Sequence, residues 1–264
     1  MNEFMINPRR LLLLFKRDLK EGLKSSLVIA GSVFGVLFFL IFLGNFGRGG
    51  IDHNQTYLSF LFAGGFIFTS GCFREIHLRE KNTAYLMLPA SGFEKLLERL
   101  IASTLVWIAF SLAVYLVCSY TAVFLNNYLL GMHQPYFNPV SIELLRNFPV
   151  YIINSSIFFL GAVTFRKMNF FKTLISIFAF FITMAVITAI LARFIFIREF
   201  NTFFQYHSDM QFSSINLSVM NTDFRETFSV LSAIINVIYY FLTAPFFWFV
   251  SYLKLKEIEV RDGI

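Results

Sequence analysis

The stretch LIASTLVWIAFSLAVYLVCSYTAVFL, residues 100–125, contains no charged side chain. An α-helix rises 1.5 Å per residue, so about 20 such residues cross the roughly 30 Å hydrocarbon layer of a bilayer. The whole chain is similarly apolar: 57% of its 264 residues are hydrophobic and 14% are charged, whereas average soluble proteins carry about 25% charged residues. Its mean hydropathy is +0.66. The sequence therefore predicts an all-α integral membrane protein.

Five further charge-free windows predict five more spanning helices, for a total of six. They are residues 25–47, 55–73, 148–165, 173–192 and 227–253. The window at 148–165 is the shortest, and five or seven spans remain alternatives. With six spans, 17 of the 22 basic residues, including every lysine, lie on one side of the membrane. Basic residues accumulate on the cytoplasmic side, so both termini are predicted to be cytoplasmic.

Residues 1–24 precede the single transmembrane domain, residues 25–264, and are predicted to form an amphipathic helix in the inner headgroup layer. Apolar side chains recur on one face of this entry helix, and lysines recur on another. The pattern favours a topological anchor over a lever attached to the first span. The residues that define the entry helix are Leu12, Phe15, Lys16, Leu19, Lys20 and Leu23.

The cytoplasmic segment 74–99 begins REIHLREKNTAYLMLPASGFEK. Pro89 cannot continue a helix, and Ser91 followed by Glu94 predicts a capping box at the start of a new helix. Tyr85 and Leu86 are apolar residues among charges, which indicates a docking element for a cytoplasmic partner. The alternative is that this segment packs against the protein's own entry helix.

The run REKNTAYLMLPAS, residues 79–91, resembles a motif of the ABC type-2 exporter permeases, whose members have the type V transporter fold. The match falls on Glu80, Thr83, Leu86, Pro89, Ser91, Glu94 and Lys95, whereas Asn82 stands where many members have glycine. In that family this stretch is the coupling helix, which contacts the ATPase subunit. The resemblance therefore implies an ATPase contact made by Glu80, Lys81, Thr83, Tyr85, Leu86, Leu88, Pro89 and Ser91.

Two longer outer segments are predicted, residues 126–147 and 198–226. The second contains several aromatic side chains among polar residues. The resemblance implies that it closes the outer end of a transport pathway, and an interfacial loop with aromatic anchors is an equal alternative. The residues of this possible outer gate are Phe203, Phe204, Tyr206 and Phe212.

The motifs of several enzyme classes do not occur in the sequence. There is no Gly-x-x-x-x-Gly-Lys-Ser/Thr phosphate loop, and the four histidines lack metal-ligand spacing. We therefore expect no catalytic, cofactor or metal site in this chain, with ATP and magnesium held by partner ATPase subunits.

The resulting expectation is a permease subunit in a bacterial cytoplasmic (inner) membrane that exports a hydrophobic, lipid-like or peptide substrate. Its expected partners are two ATPase subunits, a second permease that is either a copy or a paralogue, and membrane lipids, but not nucleic acid. The alternative is a membrane scaffold or regulatory protein that recruits a cytoplasmic partner without transport.

Overall fold

The computed structural model describes residues 8–44, 51–77, 90–131, 135–195 and 222–262, and all regular structure in these ranges is helical. The α-helices are α1 (Pro8–Gly44), α2 (His53–Gly71), α3 (Arg74–His77), α4 (Gly92–Ile101), α5 (Trp107–Leu130), α6 (Ile142–Thr164), α7 (Asn169–Ile195), α8 (Thr222–Phe241) and α9 (Thr243–Asp262). One π-helical turn, Ala102–Val106, joins α4 to α5.

Three helical stretches of the described residues are long and apolar enough to cross a bilayer: Gly92–Tyr128, Ile142–Thr164 and Asn169–Leu191. A fourth is obtained if Ser232–Phe241 and Thr243–Val260 are counted as one broken span. These four contain or overlap the predicted windows from 100–125 onward. The helical fold class is thus confirmed for the described residues, while the count of six spans stays a prediction.

Helix α1 continues past the predicted boundary between the entry helix and the first span. It runs without an end from Pro8 to Gly44, whereas the sequence predicted a division after residue 24. Pro8 occupies the first helical position, where its missing N–H is tolerated, and no other proline follows within α1 to stop the helix. A separate helix in the headgroup layer therefore stays a prediction.

One face of helix α2 packs inside the protein. Tyr57 and Leu61 are fully buried in the main apolar core. A Cβ atom on Gly64 would lie 2.7 Å from the Trp107 ring, and one on Gly65 would meet the Tyr151 ring. Small residues at these positions allow the large rings to approach the backbone, as at helix interfaces in membranes.

The π-helical turn is held by side chains from neighbouring helices. The Tyr151 hydroxyl of α6 donates a hydrogen bond of 2.8 Å to the Ser103 carbonyl within the turn. The Trp107 indole N–H, just after the turn, donates to the Leu61 carbonyl of α2 at 3.1 Å. The turn thus connects α2, α5 and α6 through polar contacts inside an otherwise apolar core.

An aromatic cluster lies where α2 begins and consists of the rings of His53, Tyr57, Tyr115 and Phe137. Asp52 caps α2 by accepting from the backbone N–H groups of Asn54 and Gln55. His53 is buried, and its Nδ1 lies 3.2 Å from the Tyr115 hydroxyl. Burial lowers the pKa of the His53 imidazole, and the nearby Asp52 carboxylate opposes this shift. The neutral imidazole is therefore the favoured form in this cluster.

The described residues divide into two compact units. The first contains the residues up to Phe170 together with those from Tyr240 onward, and it holds both apolar cores. The second contains the residues from Phe171 to Tyr239, and the described side chains of α7 beyond Thr173 are mostly exposed. The candidate site described below belongs to the first unit.

Candidate coupling site

The structure describes both flanks of the predicted coupling segment. Residues 78–89, which include Glu80, Lys81, Thr83, Tyr85, Leu86, Leu88 and Pro89, lie outside the described residues. Helix α3 ends at His77 before this segment, and α4 begins after Ser91 beyond it. The contacts of the segment itself therefore stay a prediction, and its two attachment points can be examined directly.

The downstream attachment is a capping box at the start of α4. The Ser91 hydroxyl accepts from the Glu94 backbone N–H at 3.1 Å, and the Glu94 carboxylate accepts from the Ser91 backbone N–H at 3.0 Å. Glu94 is only 1% exposed. The predicted helix start is confirmed, and reciprocal capping of this kind provides acceptors for two backbone N–H groups at the start of the helix.

An ion-pair cluster, formed by Arg17, Asp18, Glu75 and Arg99, joins three helices at this site. Arg99 of α4 lies in its centre: its Nη2 is 2.7 Å from Asp18 Oδ2 and 3.3 Å from Glu75 Oε2. Arg17 of α1 binds the same Glu75 oxygen at 3.0 Å. The cluster therefore ties α1, about three turns from its start, to α3 upstream of the coupling segment and to α4 downstream of it.

The ion-pair cluster is shielded from water more than a surface salt bridge. The side chains of Arg99, Asp18 and Glu75 are 15%, 19% and 26% exposed. Charges in such positions are screened less by solvent, but they also cost desolvation energy that only a complete set of partners offsets. The geometry of this cluster consequently depends on all three helices being in place together.

Helix α4 also binds α9. Lys95 Nζ lies 3.1 Å from Glu259 Oε1 of α9, and the Lys95 side chain is only 4% exposed. A Cβ on Gly92 would lie 2.7 Å from the Glu259 carboxylate, so glycine leaves room for this contact. Helix α9 is thereby connected to the same short helix that follows the coupling segment.

An apolar cluster packs next to these polar contacts. It joins α3, α4, α6 and α9 around the end of α2, and the imidazole Nε2 of His77 lies 2.9 Å from the Ala162 carbonyl of α6. Its buried members are Cys72, Phe73, Ile76, Leu96, Phe159, Ala162, Val163 and Leu255. Both attachment points of residues 78–89 are thus packed into one continuous contact region.

Only some of the predicted entry-helix residues are shielded from solvent in the structure. Leu12 is 65% exposed, Phe15 is half-buried, and Lys16 and Lys20 are exposed. Leu14, which is not among the predicted entry-helix residues, is buried and only 9% exposed. The side chains of Leu19 and Leu23 lie outside the described ones. The outer-gate residues Phe203, Phe204, Tyr206 and Phe212 are also outside the described residues.

The sequence interpretation missed the ion-pair cluster. In the sequence, Arg17 and Asp18 fit the polar face of an amphipathic helix, and Arg99 is one of the basic residues on the predicted cytoplasmic side. The sequence does show opposite charges near both ends of segment 74–99, which could have indicated ion pairs. Such charges alone do not identify which distant residue each one binds. Among the described residues, no group of three or more His, Cys, Asp or Glu side chains is placed to hold a metal ion.

Comparisons with family models, characterised proteins and solved structures gave no match to this chain.

Proposed function

We propose that this chain is the membrane-spanning permease subunit of an ATP-binding-cassette exporter, driven by separate ATPase subunits. The observation that carries the proposal is the ion-pair cluster. Residues 78–89, which form most of the run that resembles a coupling helix, stand in the sequence between α3 and α4. Glu75 of α3 and Arg99 of α4 bind these two flanks to Arg17 and Asp18 of α1. A force applied to residues 78–89 would therefore act on α1 and α4 together.

The proposed arrangement has six spans with both termini in the cytoplasm of a bacterial cell. Two such permeases, identical or related, would assemble with two ATPases that hold ATP and magnesium. The apolar character of the spans supports a hydrophobic, lipid-like or peptide substrate. The support for this arrangement is the distribution of lysines and arginines along the sequence and the long apolar helices.

The partner is tested by purifying the tagged chain, in mild detergent, from membranes of the cells that produce it. We expect mass spectrometry to identify a copurifying subunit with a phosphate-loop motif, and we expect ATP hydrolysis only in fractions that contain it. The purified chain alone should not hydrolyse ATP, because it has no phosphate loop. Hydrolysis by the chain alone would contradict the proposal, whereas a stable partner without a nucleotide site would favour the scaffold alternative.

The orientation is tested with single cysteines at exposed positions. Cys72 and Cys118 are buried, so a membrane-impermeant maleimide should label introduced cysteines selectively. We expect Val140→Cys, at a site that is 73% exposed, to react from outside intact cells. Lys167→Cys, also at an exposed position, should react only after the membrane is opened. Labelling of the Lys167→Cys variant in intact cells would reverse the proposed topology.

A further inference from the structure

A third carboxylate, that of Glu98, lies against the ion-pair cluster and is more deeply buried than the other two. The Glu98 side chain is 4% exposed, whereas the side chains of Asp18 and Glu75 are 19% and 26% exposed. Its Oε2 lies 3.2 Å from Nε of the neighbouring Arg99. Glu98 precedes the predicted span at residues 100–125, on its predicted cytoplasmic side. A buried carboxylate therefore lies beside the charges that connect α1, α3 and α4.

The three carboxylates differ in their contacts with the two arginines. Arg17 Nε lies 3.4 Å from Asp18 Oδ1, and Arg17 Nη2 lies 3.0 Å from Glu75 Oε2. Arg99 Nη2 contacts the same two carboxylates at 2.7 and 3.3 Å. Among the described residues, Glu98 forms an ion pair with Arg99 alone. Because a carboxylate away from water is costly unless counter-charges offset it, the ionised form of Glu98 is the least stabilised of the three.

The charges that act on Glu98 come from α1, α3 and α4. Burial is the largest influence and disfavours the ionised form; Arg99 favours that form, Asp18 opposes it, Arg17 favours it and Glu75 opposes it. Together they raise the pKa of the Glu98 carboxyl to about 7. This electrostatic balance agrees with the burial and with the single ion pair.

Two further elements contribute titratable groups to this region. The Cys72 thiol, directly after α2, lies within electrostatic range of Glu98. On α9, the charged group that contacts α4 is Glu259, and it binds Lys95 at 3.1 Å. The cations that act on Glu98 are therefore the two arginines of the ion-pair cluster.

We propose that Glu98 is a proton-binding site that controls how tightly α1 is connected to the two flanks of the coupling segment. With a proton on Glu98, Arg99 is left to Asp18 and Glu75, and the three helices are held together. When Glu98 loses the proton, its carboxylate competes for Arg99 and repels the other two carboxylates, which weakens the connection. The inference concerns the chain alone and needs no ATPase, so its failure would leave the proposed function standing.

The proton site predicts how the stability of the purified chain depends on pH. Glu98 has an ordinary pKa of 4.5 in the unfolded chain and a pKa of about 7 in the folded chain. Its stabilising contribution is therefore complete below the unfolded value and is lost as the pH rises through the folded value. Glu98→Gln mimics the protonated form. Its Tm relative to wild type should rise by about 4 °C or more between about pH 5.5 and about pH 8.

The matched control is Glu257→Gln, which removes a carboxylate whose side chain is 63% exposed and pairs with Lys254. Its Tm relative to wild type should stay constant over the same pH range. If the Tm of Glu98→Gln also runs parallel to that of wild type, the folded chain does not hold a proton on Glu98 and the proposal is refuted.

Infrared spectroscopy detects the proton itself, because a protonated carboxyl group has a C=O stretching band that a carboxylate lacks. In wild type, we expect such a band to disappear with a midpoint near pH 7. Glu98→Gln should lack the titrating band, and Glu257→Gln should keep it. The measurement on wild type does not depend on whether a variant folds, and absence of the band there would by itself overturn the proposal.

Hydrogen exchange of α3 measures the connection between the helices. After correction for the intrinsic effect of pH on exchange, α3 in wild type should exchange faster above the midpoint of the Glu98 titration than below it. In Glu98→Gln this difference should vanish. If Glu98 titrates while the corrected exchange of α3 stays the same, the proton does not control the connection, and the proposal fails.

Discussion

Replacing Tyr85 and Leu86 together by alanine should separate the chain from the proposed ATPase subunit while leaving the chain folded in the membrane. The expected size follows from interfaces in general: aromatic and apolar anchors in desolvated pockets often contribute about 2 kcal/mol or more each, and 2 kcal/mol is roughly a thirtyfold change in affinity. The yield of ATPase that copurifies with the tagged chain measures the loss. Transport-coupled hydrolysis should fall in parallel.

Two further variants show whether the effect of the Tyr85 and Leu86 change is specific. The control is Val140→Ala with Ile142→Ala, which removes apolar side chains that are 73% and 75% exposed at the start of α6, far along the sequence from the coupling segment, and should leave the ATPase bound. Glu80→Gln should weaken binding mildly and mainly at low salt, because charges at the rim of an interface steer association more than they hold it. If the double alanine variant retains its ATPase and its activity, the segment is instead a loop that packs on α1.

The parts of the fold that could be predicted from the sequence depend on short-range information. A charge-free window predicts a spanning helix because length and polarity suffice, and residues 100–125, 148–165 and 173–192 lie almost entirely within described helices of spanning length. The start of α4 was predicted because Ser91 and Glu94 stand three residues apart and cap each other locally. These features need no knowledge of which helices are neighbours.

The parts that could not be predicted depend on contacts between distant residues. Glu75 binds Arg17 and Arg99, which are 58 and 24 residues away along the chain, and no periodic pattern relates such positions. The burial of Leu14, which is 9% exposed, belongs to the same class, because an amphipathic pattern includes Leu12 and does not single out Leu14. Likewise, Gly64 and Gly65 of α2 show their role only when the rings of Trp107 and Tyr151 are placed beside them.

Replacing Arg99 by methionine should have the largest effect of any single change in the described residues at the coupling site. Methionine keeps much of the side-chain volume but leaves Asp18 and Glu75 with Arg17 as the remaining arginine of the cluster. Removing one partner of a fully buried ion pair costs about 3–5 kcal/mol. The side chains of this cluster are 15–26% exposed, so we expect a smaller loss than for a fully buried pair. Hydrogen bonds to charged groups contribute about 1.5–3 kcal/mol. The free energy of unfolding should therefore fall by about 2–3 kcal/mol.

Thermal unfolding of the purified chain in detergent measures this loss, and Lys254→Met is its matched control. Lys254 pairs with Glu257 at 2.8 Å, but both side chains are well exposed, 46% and 63%, and such surface pairs contribute about 0–1 kcal/mol. Adding Asp18→Asn to Arg99→Met should recover part of the lost stability, because the asparagine replaces a carboxylate that has lost its Arg99 partner. In a double-mutant cycle, the effects of the two substitutions should therefore not be additive. If Arg99→Met costs no more than Lys254→Met, the cluster is a solvated set of charges. Motion of residues 78–89 could then not be transmitted to α1 through it.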